Sequence, residues 1–204
     1  MNRTPPPDTL PGMKCEPLEL KGLLLVHLAL HGDARGFFVE RYQEAKYRQH
    51  GLPTRFIQDN HSRSAPGVLR GLHYQAEPAQ GKLVGVVRGR IWDVVVDVRP
   101  DSATFGRSYG VELSDLNGRL LWIPAGFAHG FCVLGDEPAD VLYKVDATYN
   151  PAGEGGIRWD DPELAVPWPL QNPTVSNRDK GLGSFAEYKA KPPRFAVSAG
   201  ASDR

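Results

Sequence analysis

The chain has only two cysteines, no excess of charge of either sign and no long apolar run, and each absence excludes a class of protein. Cys15 and Cys132 have no paired spacing, so the sequence lacks both a disulfide framework and a zinc-ligand motif. Lysine plus arginine equals aspartate plus glutamate at 24 each, so the overall charge attracts neither nucleic acid nor an anionic membrane. We therefore expect a cytoplasmic protein that binds any anionic ligand locally.

The sequence also lacks a segment suited to membrane insertion or export. The most apolar run, residues 23–30, is interrupted by His27 and is far shorter than the roughly 20 residues that a membrane-spanning helix requires. The N-terminal residues Met-Asn-Arg-Thr-Pro-Pro-Pro do not contain the apolar core of a signal peptide. These features predict a protein with no membrane partner.

Glycine and proline are frequent instead, at 22 and 18 residues, and they separate short apolar runs. This pattern predicts many short β-strands rather than helices. Nine strands are expected, at residues 18–30, 54–62, 68–75, 82–88, 91–98, 107–113, 120–123, 131–134 and 141–149. Helices are expected only at about 41–50, which Gly51 ends, and at 178–189.

Nine strands in one domain have to close a barrel or stack as two sheets, because open sheet edges promote aggregation. We predict an all-β fold, an antiparallel jelly-roll (cupin-like) barrel with a few short helices. A single domain is expected over residues 1–204, with its core at about 18–190 and flexible tails at both ends. The turn residues at 88–90 and 115–118 predict hairpin bends between consecutive strands.

Two of the predicted strands carry polar residues where a purely structural strand would be apolar. Along 56–62 polar side chains occur on both faces, with Gln58 and Asn60 on one face and His61 on the other. Lys82 shares a face with two valines of its own strand, where a buried ammonium is costly without a partner. The pattern indicates a barrel whose interior binds a ligand.

Several short motifs match known signatures without the context that those signatures need. Residues 106–110 spell a serine-hydrolase elbow, but no helix is predicted after them. Residues 181–186 spell a dinucleotide fingerprint, but too few residues follow to complete the βαβ unit. Neither His73 nor His129 belongs to a His-x-His pair, so we expect no metal site.

Three segments concentrate the residues suited to chemistry: DARGFFVE at 33–40, QDNHSRS at 58–64 leading into VLRGLHYQ at 68–75, and IPAGFAHGF at 123–131. Together with residues 80–84, 93–97, 143–144 and 159–162, they closely resemble the dTDP-4-dehydrorhamnose 3,5-epimerase family. The resemblance covers roughly residues 22–179.

This resemblance implies a homodimeric jelly-roll isomerase of carbohydrate biosynthesis, on the route to rhamnose. Its substrate would be a dTDP-linked 4-keto-6-deoxy sugar, dTDP-4-dehydro-6-deoxy-D-glucose, which it would convert into dTDP-4-dehydro-L-rhamnose. A base would remove a proton from the carbon next to the ketone, a donor would stabilise the resulting enolate, and a proton would return to the opposite face. No cofactor is implied.

The resemblance also implies four catalytic residues. His73 looks like the base, since imidazole titrates near neutrality. Asp179 would orient His73, Tyr143 would deliver the proton to the other face, and Lys82 would lie near the enolate oxygen. Considered without the resemblance, the sequence favours a packed strand histidine at position 73 and a core tyrosine at position 143, while Lys82 is equally compatible with a surface lysine.

Eight further residues are implied to bind the substrate: Arg35, Glu40, Gln58, Asn60, Arg70, His129, Glu154 and Arg178. Arginine matches the geometry of a diphosphate, although the family commonly has lysine where this chain has Arg178. Arg35 is also compatible with a surface ion pair with Asp33. His61 is the nearest rival of His73 as base, and we expect it to have a structural role.

One geometric conflict appears within the strand at 68–75. Arg70 and His73 have opposite parity, so a regular strand cannot direct both side chains into the barrel. A bulge at Gly71 would allow both to do so.

Three rival functions stay open on the sequence alone. The first is an epimerase that acts at C3 or C5 only. The second is a non-catalytic barrel that binds nucleotide sugars, and the third is a metal-dependent barrel enzyme. Retention of Tyr143 favours the double epimerisation over the first rival.

Overall fold

The computed structural model of the protein describes residues 12–196, which form fourteen strands and three short α-helices. The strands are β1 (Met13–Pro17), β2 (Leu24–Leu28), β3 (Leu30–Asp33), β4 (Gly36–Val39), β5 (Gln58–Ser64), β6 (Val68–Gln75), β7 (Lys82–Arg88), β8 (Arg90–Asp97), β9 (Ser108–Ser114), β10 (Arg119–Ile123), β11 (Phe127–Val133), β12 (Ala139–Val145), β13 (Glu154–Gly156) and β14 (Thr174–Val175). The helices are α1 (Glu44–Gln49), α2 (Asn177–Lys180) and α3 (Phe185–Ala190), and a 3₁₀ turn spans Pro151–Gly153.

The strands form two large sheets and a separate two-stranded one. The first sheet has the order β1-β2-β10-β7-β12-β5, and the second has the order β13-β6-β11-β8-β9, with β14 also beside β6. Within residues 12–196, strands β3 and β4 pair only with each other. All of these pairs are antiparallel except that of β14 with β6. The predicted all-β, antiparallel jelly roll with a few short helices is therefore confirmed.

The main hydrophobic core lies between the two large sheets, because both contribute apolar side chains to one buried cluster. The first sheet contributes Leu25, Val84, Val86, Leu121, Ile123, Ala139 and Val141. The second contributes Ile91, Val95, Val111, Leu113, Phe127, Phe131 and Val133. We call the space between the sheets the lumen. The apolar cluster fills one part of the lumen, and polar strand residues line another.

Smaller clusters cover the outer faces of both sheets. Tyr47 of α1 packs with Leu83, Leu120 and Trp122 on the outside of the first sheet. Phe185 and Tyr188 of α3 pack with residues of β6, β8 and β11 on the outside of the second sheet. Among residues 12–196, no helix has both the length and the apolar composition needed to cross a membrane.

Several predicted elements differ from the structure. The predicted strand at 18–30 is wrong over 18–23, because a turn with Gly22 at φ 101° separates β1 from β2. The predicted helix at 178–189 is two helices, since residues 181–183 leave the helix and Ser184 caps α3 through a capping box with Glu187. The structure also contains β1, β3, β4, β13 and β14, which the sequence did not predict.

The two predicted hairpin bends are turns, but they do not join paired strands. Gly89 connects β7 of the first sheet to β8 of the second, and residues 115–118 connect β9 of the second sheet to β10 of the first. The hairpin prediction was wrong because turn residues specify a reversal of the chain and not which sheet receives the next strand.

The predicted flexible tails lie largely in residues 1–11 and 197–204, outside the described range. Residues 192–196, which were assigned to the C-terminal tail, contradict that assignment. Phe195 packs against the outer cluster of the second sheet. The backbone of Ala196 donates to Ala76 at 2.9 Å and accepts from Ala79 at 2.7 Å.

Candidate active site

His73 and Asp179 form a buried pair on the second sheet. His73 lies on β6, and its Nε2 is 2.8 Å from Oδ1 of Asp179 on α2. The helix directs Asp179 inward because the Ser176 side chain caps it by accepting the Asp179 N–H at 3.0 Å. The other carboxylate oxygen accepts the Gly71 N–H at 3.2 Å. Only 4% of the Asp179 side chain and 23% of the His73 side chain are exposed.

Hydrogen bonds keep the Asp179 carboxylate ionised beside His73. Burial alone would raise the pKa of the carboxyl, but hydrogen bonds, led by that of His73, outweigh burial and leave the pKa below its ordinary value. An ionised carboxylate therefore lies within hydrogen-bond distance of the His73 ring. The second ring nitrogen of His73 has no protein partner among the described residues.

A bulge at Gly71 resolves the parity conflict between Arg70 and His73. Opposite β11, His73 pairs with His129 and Arg70 pairs with Phe131, so three steps along β6 match two along β11. Gly71 has φ 122°, and a Cβ there would lie 2.6 Å from the Cα of Gly130, so only glycine fits. Arg70 and His73 therefore share a face of β6, as the bulge hypothesis required.

Tyr143 enters the lumen from the first sheet. It lies on β12 opposite Asn60 and Val84, and it packs against the main core cluster. Its hydroxyl has no hydrogen-bond partner among the described residues. Burial raises the pKa of Tyr143, Arg70 lowers it, and Glu154 raises it. The phenol is consequently protonated at neutral pH and available to donate.

Lys82 places an ammonium in the same lumen. It is the first residue of β7, between Val145 of β12 and Ile123 of β10. Burial lowers its pKa to about 8, against the attraction of Glu154 and Asp93. Lys82 is thus mainly charged at neutral pH, and no described residue accepts a hydrogen bond from its ammonium. This charge is available to a ligand.

A second histidine–aspartate pair lies beside the first on the second sheet. His129 of β11 is opposite His73, and its Nε2 is 2.9 Å from Oδ2 of Asp93 on β8. Asp93 is fully buried, and its Oδ1 has no partner among residues 12–196. Sequence reasoning missed Asp93 as a site residue. The signal was present, since Asp93 has the strand parity of the core residues Ile91 and Val95.

Glu154, Tyr149 and Arg178 form an ion cluster next to His73. The Tyr149 hydroxyl donates to Glu154 at 2.7 Å, and Arg178 pairs with the same carboxylate oxygen at 2.6 Å. Burial alone would raise the pKa of Glu154, but Tyr149 and Arg178 outweigh it and hold the pKa below its usual value. Glu154 interacts electrostatically with both His73 and Tyr143, which links the groups of the two sheets. Tyr149 was not predicted.

Strand β5 contributes amide side chains to the lumen. Gln58 donates to Asn60 Oδ1 at 2.9 Å and accepts the Tyr149 N–H at 3.0 Å. Asn60 lies opposite Tyr143. On the same strand His61 has the opposite parity and bonds to Asp140 on the outside of the sheet.

Two predicted substrate-binding residues lie apart from this constellation within one chain. Arg35 is in the turn between β3 and β4, where its guanidinium pairs with Asp33 and 90% of its side chain is exposed. Glu40 follows β4 and pairs with Lys46 of α1 at 2.6 Å. The described chain therefore leaves Arg35 and Glu40 outside the lumen. It brings together the other ten predicted site residues: His73, Asp179, Tyr143, Lys82, Gln58, Asn60, Arg70, His129, Glu154 and Arg178.

The arrangement of the lumen residues indicates which class of reaction they suit. Among residues 12–196, no three histidine, cysteine or acidic side chains are arranged to hold a metal ion. The imidazole of His73 on the second sheet, paired with the α2 carboxylate of Asp179, faces the protonated phenol of Tyr143 and the ammonium of Lys82 from the first sheet. Removal of a proton on one side of a ligand and return on the other is the requirement of an epimerase. The fold and the site are those of a jelly-roll isomerase.

Comparison with known proteins gives the family. The model of the dTDP-4-dehydrorhamnose 3,5-epimerase family matches residues 17–187. This chain belongs to that family.

Individual relatives also match this chain over most of its length. The chain is 50% identical over 171 residues to a dTDP-4-dehydrorhamnose 3,5-epimerase of Shigella flexneri, covering 83% of this chain and 94% of that protein. A dTDP-6-deoxy-D-glucose 3,5-epimerase of Legionella pneumophila, solved with dTDP-4-keto-L-rhamnose, superposes with a TM-score of 0.84 at 44% identity, covering 91% of this chain and all of that one. A dTDP-4-dehydrorhamnose 3-epimerase of Streptomyces niveus is 39% identical over 179 residues, covering 87% and 86%.

Proposed function

We propose that this enzyme inverts both C3 and C5 of dTDP-4-dehydro-6-deoxy-D-glucose and so produces dTDP-4-dehydro-L-rhamnose. The observation that carries the proposal is the His73–Asp179 pair on one sheet with the unpartnered phenol of Tyr143 on the other. Family membership supplies the substrate class. The reaction moves protons and leaves the oxidation state of the sugar unchanged, so it requires no redox cofactor.

Each inversion begins with removal of a proton from a carbon next to the C4 ketone. His73 takes this proton, and Asp179 stabilises the imidazolium that forms. The electrons of the C–H bond move to the ketone oxygen, where the ammonium of Lys82 stabilises the developing negative charge. Tyr143 then returns a proton to the opposite face of the carbon, and the enolate collapses to the inverted ketone.

The remaining lumen groups hold the nucleotide sugar. Arg70 and Arg178 supply positive charge for the diphosphate, and guanidinium forks suit that group. Arg178 has to leave Glu154 for this contact, which frees the Glu154 carboxylate to accept sugar hydroxyls. Gln58, Asn60 and His129 complete the binding surface.

Double inversion rather than inversion at a single carbon is supported by the free Tyr143 hydroxyl and by the higher identity to 3,5-epimerases than to the Streptomyces niveus 3-epimerase. Proton NMR of the keto sugar in heavy water, with enzyme present, tests this. Deuterium is expected at both C3 and C5. Label at one carbon alone would establish the single-site reaction instead, and no label would favour a binding protein.

The Tyr143→Phe variant sharpens the same experiment. Since phenylalanine keeps the ring but cannot donate a proton, we expect product formation to fall about 10²-fold or more, while His73 still exchanges the substrate proton with solvent. Product formation at the wild-type rate would show that another group returns the proton.

Elemental analysis of the purified enzyme tests the metal-dependent rival, which requires near-stoichiometric metal.

We also propose that the enzyme is a cytoplasmic homodimer and that the β3–β4 hairpin contacts the second copy. The hairpin exposes 51% of Phe37 and 69% of Phe38, an unusual exposure for neighbouring aromatic side chains. It also carries Arg35, the predicted substrate ligand that its own chain leaves outside the lumen. Light scattering should give twice the chain mass, and replacing both phenylalanines by serine should give monomers. A monomeric wild type would refute the dimer.

A further inference from the structure

Asp146 is a half-buried carboxylate that the proposed mechanism does not use. It follows β12 directly, and its Oδ1 accepts the backbone N–H of Gly81 at 2.7 Å. Burial raises the pKa of Asp146, although the Gly81 hydrogen bond opposes that effect. Among residues 12–196, no lysine, arginine or histidine pairs with it. Its observed contact is thus with the backbone that leads into β7.

Gly81 is enclosed between Asp146 and an indole ring. A Cβ at Gly81 would lie 2.6 Å from Cη2 of Trp122 and 2.8 Å from Oδ2 of Asp146. Trp122 belongs to the outer cluster of the first sheet, so this enclosure lies outside the lumen. The backbone at Gly81 is therefore held between two side chains, with no room for a third.

Lys82 is the next residue, and its side chain lies on the other face of the sheet. Its backbone is paired on both sides, with Val145 and with Ile123. Its ammonium makes no hydrogen bond to another described residue. Since no side chain anchors the ammonium directly, its place in the lumen depends on where the backbone enters the strand.

We propose that Asp146 is a positioning residue for Lys82, holding the Gly81–Lys82 backbone from outside the barrel so that the ammonium reaches a fixed point in the lumen. The inference rests on the proposed function, in which Lys82 stabilises the enolate. A hydrogen bond from an N–H to a carboxylate is about twice as strong as one between neutral groups. Asp146 therefore anchors the strand end more firmly than a neutral acceptor would.

The pKa of Lys82 depends on its burial and on the charged groups around it, so the pH dependence of activity reports where the ammonium lies. Glu154 of β13 and Asp93 of β8 attract the ammonium, while burial dominates and lowers its pKa to about 8. From β12, Tyr143 lies opposite Val84, two residues along from Lys82, and β10 presents only the apolar Ile123. As the pH rises through about 8, Lys82 loses its proton and the enzyme should lose activity. A mobile, better hydrated Lys82 would keep its proton to higher pH.

The test is the pH–rate profile of Asp146→Ala, followed by proton exchange on the keto sugar. We expect kcat to fall about tenfold, since small misplacements of a reacting group have large effects, with little change in KM. The alkaline limb should move upward from about pH 8. Asp146→Asn keeps an oxygen acceptor for Gly81 and should restore most of both properties. If Asp146→Ala does not fold, Asp146→Ser takes its place in the experiment. The serine side chain is too short for its hydroxyl to reach the Gly81 N–H.

Asp161→Ala is the matched control, because Asp161 is also a buried carboxylate that holds backbone N–H groups. It accepts those of Glu163 at 3.0 Å, Leu164 at 3.1 Å and Phe185 at 2.9 Å, on the outer side of the second sheet. Its removal should lower stability without moving the alkaline limb. An equal shift in both variants would overturn the positioning role.

Lys82→Met separates failure of this inference from failure of the proposed function. If Lys82→Met retains wild-type activity, the proposed role of Lys82 in the reaction is wrong. If Lys82→Met loses activity while Asp146→Ala keeps both the wild-type kcat and the wild-type alkaline limb, the reaction stands and the positioning role of Asp146 is overturned. Loss in both variants with the shifted limb supports both.

Discussion

Two histidine–aspartate pairs of this chain have almost the same geometry and occupy different environments. His73 Nε2 lies 2.8 Å from Asp179 on the lumen side, and His61 Nε2 lies 2.9 Å from Asp140 on the outside of the first sheet. The exposed fraction of the histidine side chain is 23% in the first pair and 55% in the second. Both aspartates are almost completely buried.

The difference between the pairs lies in what surrounds them. Arg63 donates two hydrogen bonds to Asp140, at 2.9 and 2.8 Å, so that carboxylate is already neutralised by a permanent cation. The Asp179 carboxylate accepts hydrogen bonds from His73 and the Gly71 N–H, and among the described residues no lysine or arginine forms an ion pair with it. A histidine–aspartate pair thus becomes a candidate proton acceptor only where no permanent cation already pairs with the aspartate and where the histidine faces a ligand space.

The largest expected effect separates the two histidines. We expect His73→Asn to lower kcat/KM about 10³-fold, because it removes the general base. His61→Asn should leave kcat/KM at the wild-type level, since His61 faces solvent on the outer side. Steady-state rates with the dTDP-keto sugar measure both, and dTDP binding should persist in each. Comparable losses in the two variants would remove the distinction between the pairs.

The next effect concerns the two aspartates. Asp179→Asn keeps the shape of the side chain but cannot stabilise an imidazolium, so kcat should fall on the order of 10²-fold. Asp140→Asn should leave kcat unchanged while weakening the bonds to Arg63. Parallel measurements of kcat and of urea unfolding distinguish a catalytic loss from a loss of stability. Full activity in Asp179→Asn would contradict the orienting role.

The smallest effect is in acid and concerns the outer pair. Hydrogen bonds from Arg63 and His61 lower the pKa of Asp140 from 3.8 to about 2. Because the folded-state value is depressed, the ionised carboxylate stabilises the fold above pH 3.8, and this contribution is lost as the pH falls towards about 2. Urea unfolding across this range should show the stability difference between wild type and Asp140→Asn shrinking with acidification. A constant difference would refute the assignment.

Much of the fold was predictable from local pattern. Short alternating runs between glycine and proline predicted the strands at 68–75 and 82–88, which match β6 and β7. The polar faces of β5 and β7 also indicated a ligand-binding interior. The hairpin prediction failed because a turn such as that at Gly89 is compatible with either sheet. Local sequence specifies where the chain reverses, while burial of apolar faces selects the neighbouring strand.

The site divides in the same way between local chemistry and long-range packing. The resemblance of the ordered motifs to the epimerase family implied an imidazole base, a phenol, an ammonium and arginine forks. Packing alone brought Asp179 to His73 across 106 residues and set the bulge at Gly71 against Gly130, which turns Arg70 and His73 to one face. It also left Arg35 and Glu40 outside the lumen. Side-chain chemistry is a property of each residue, whereas distance depends on which apolar faces the folded chain buries together.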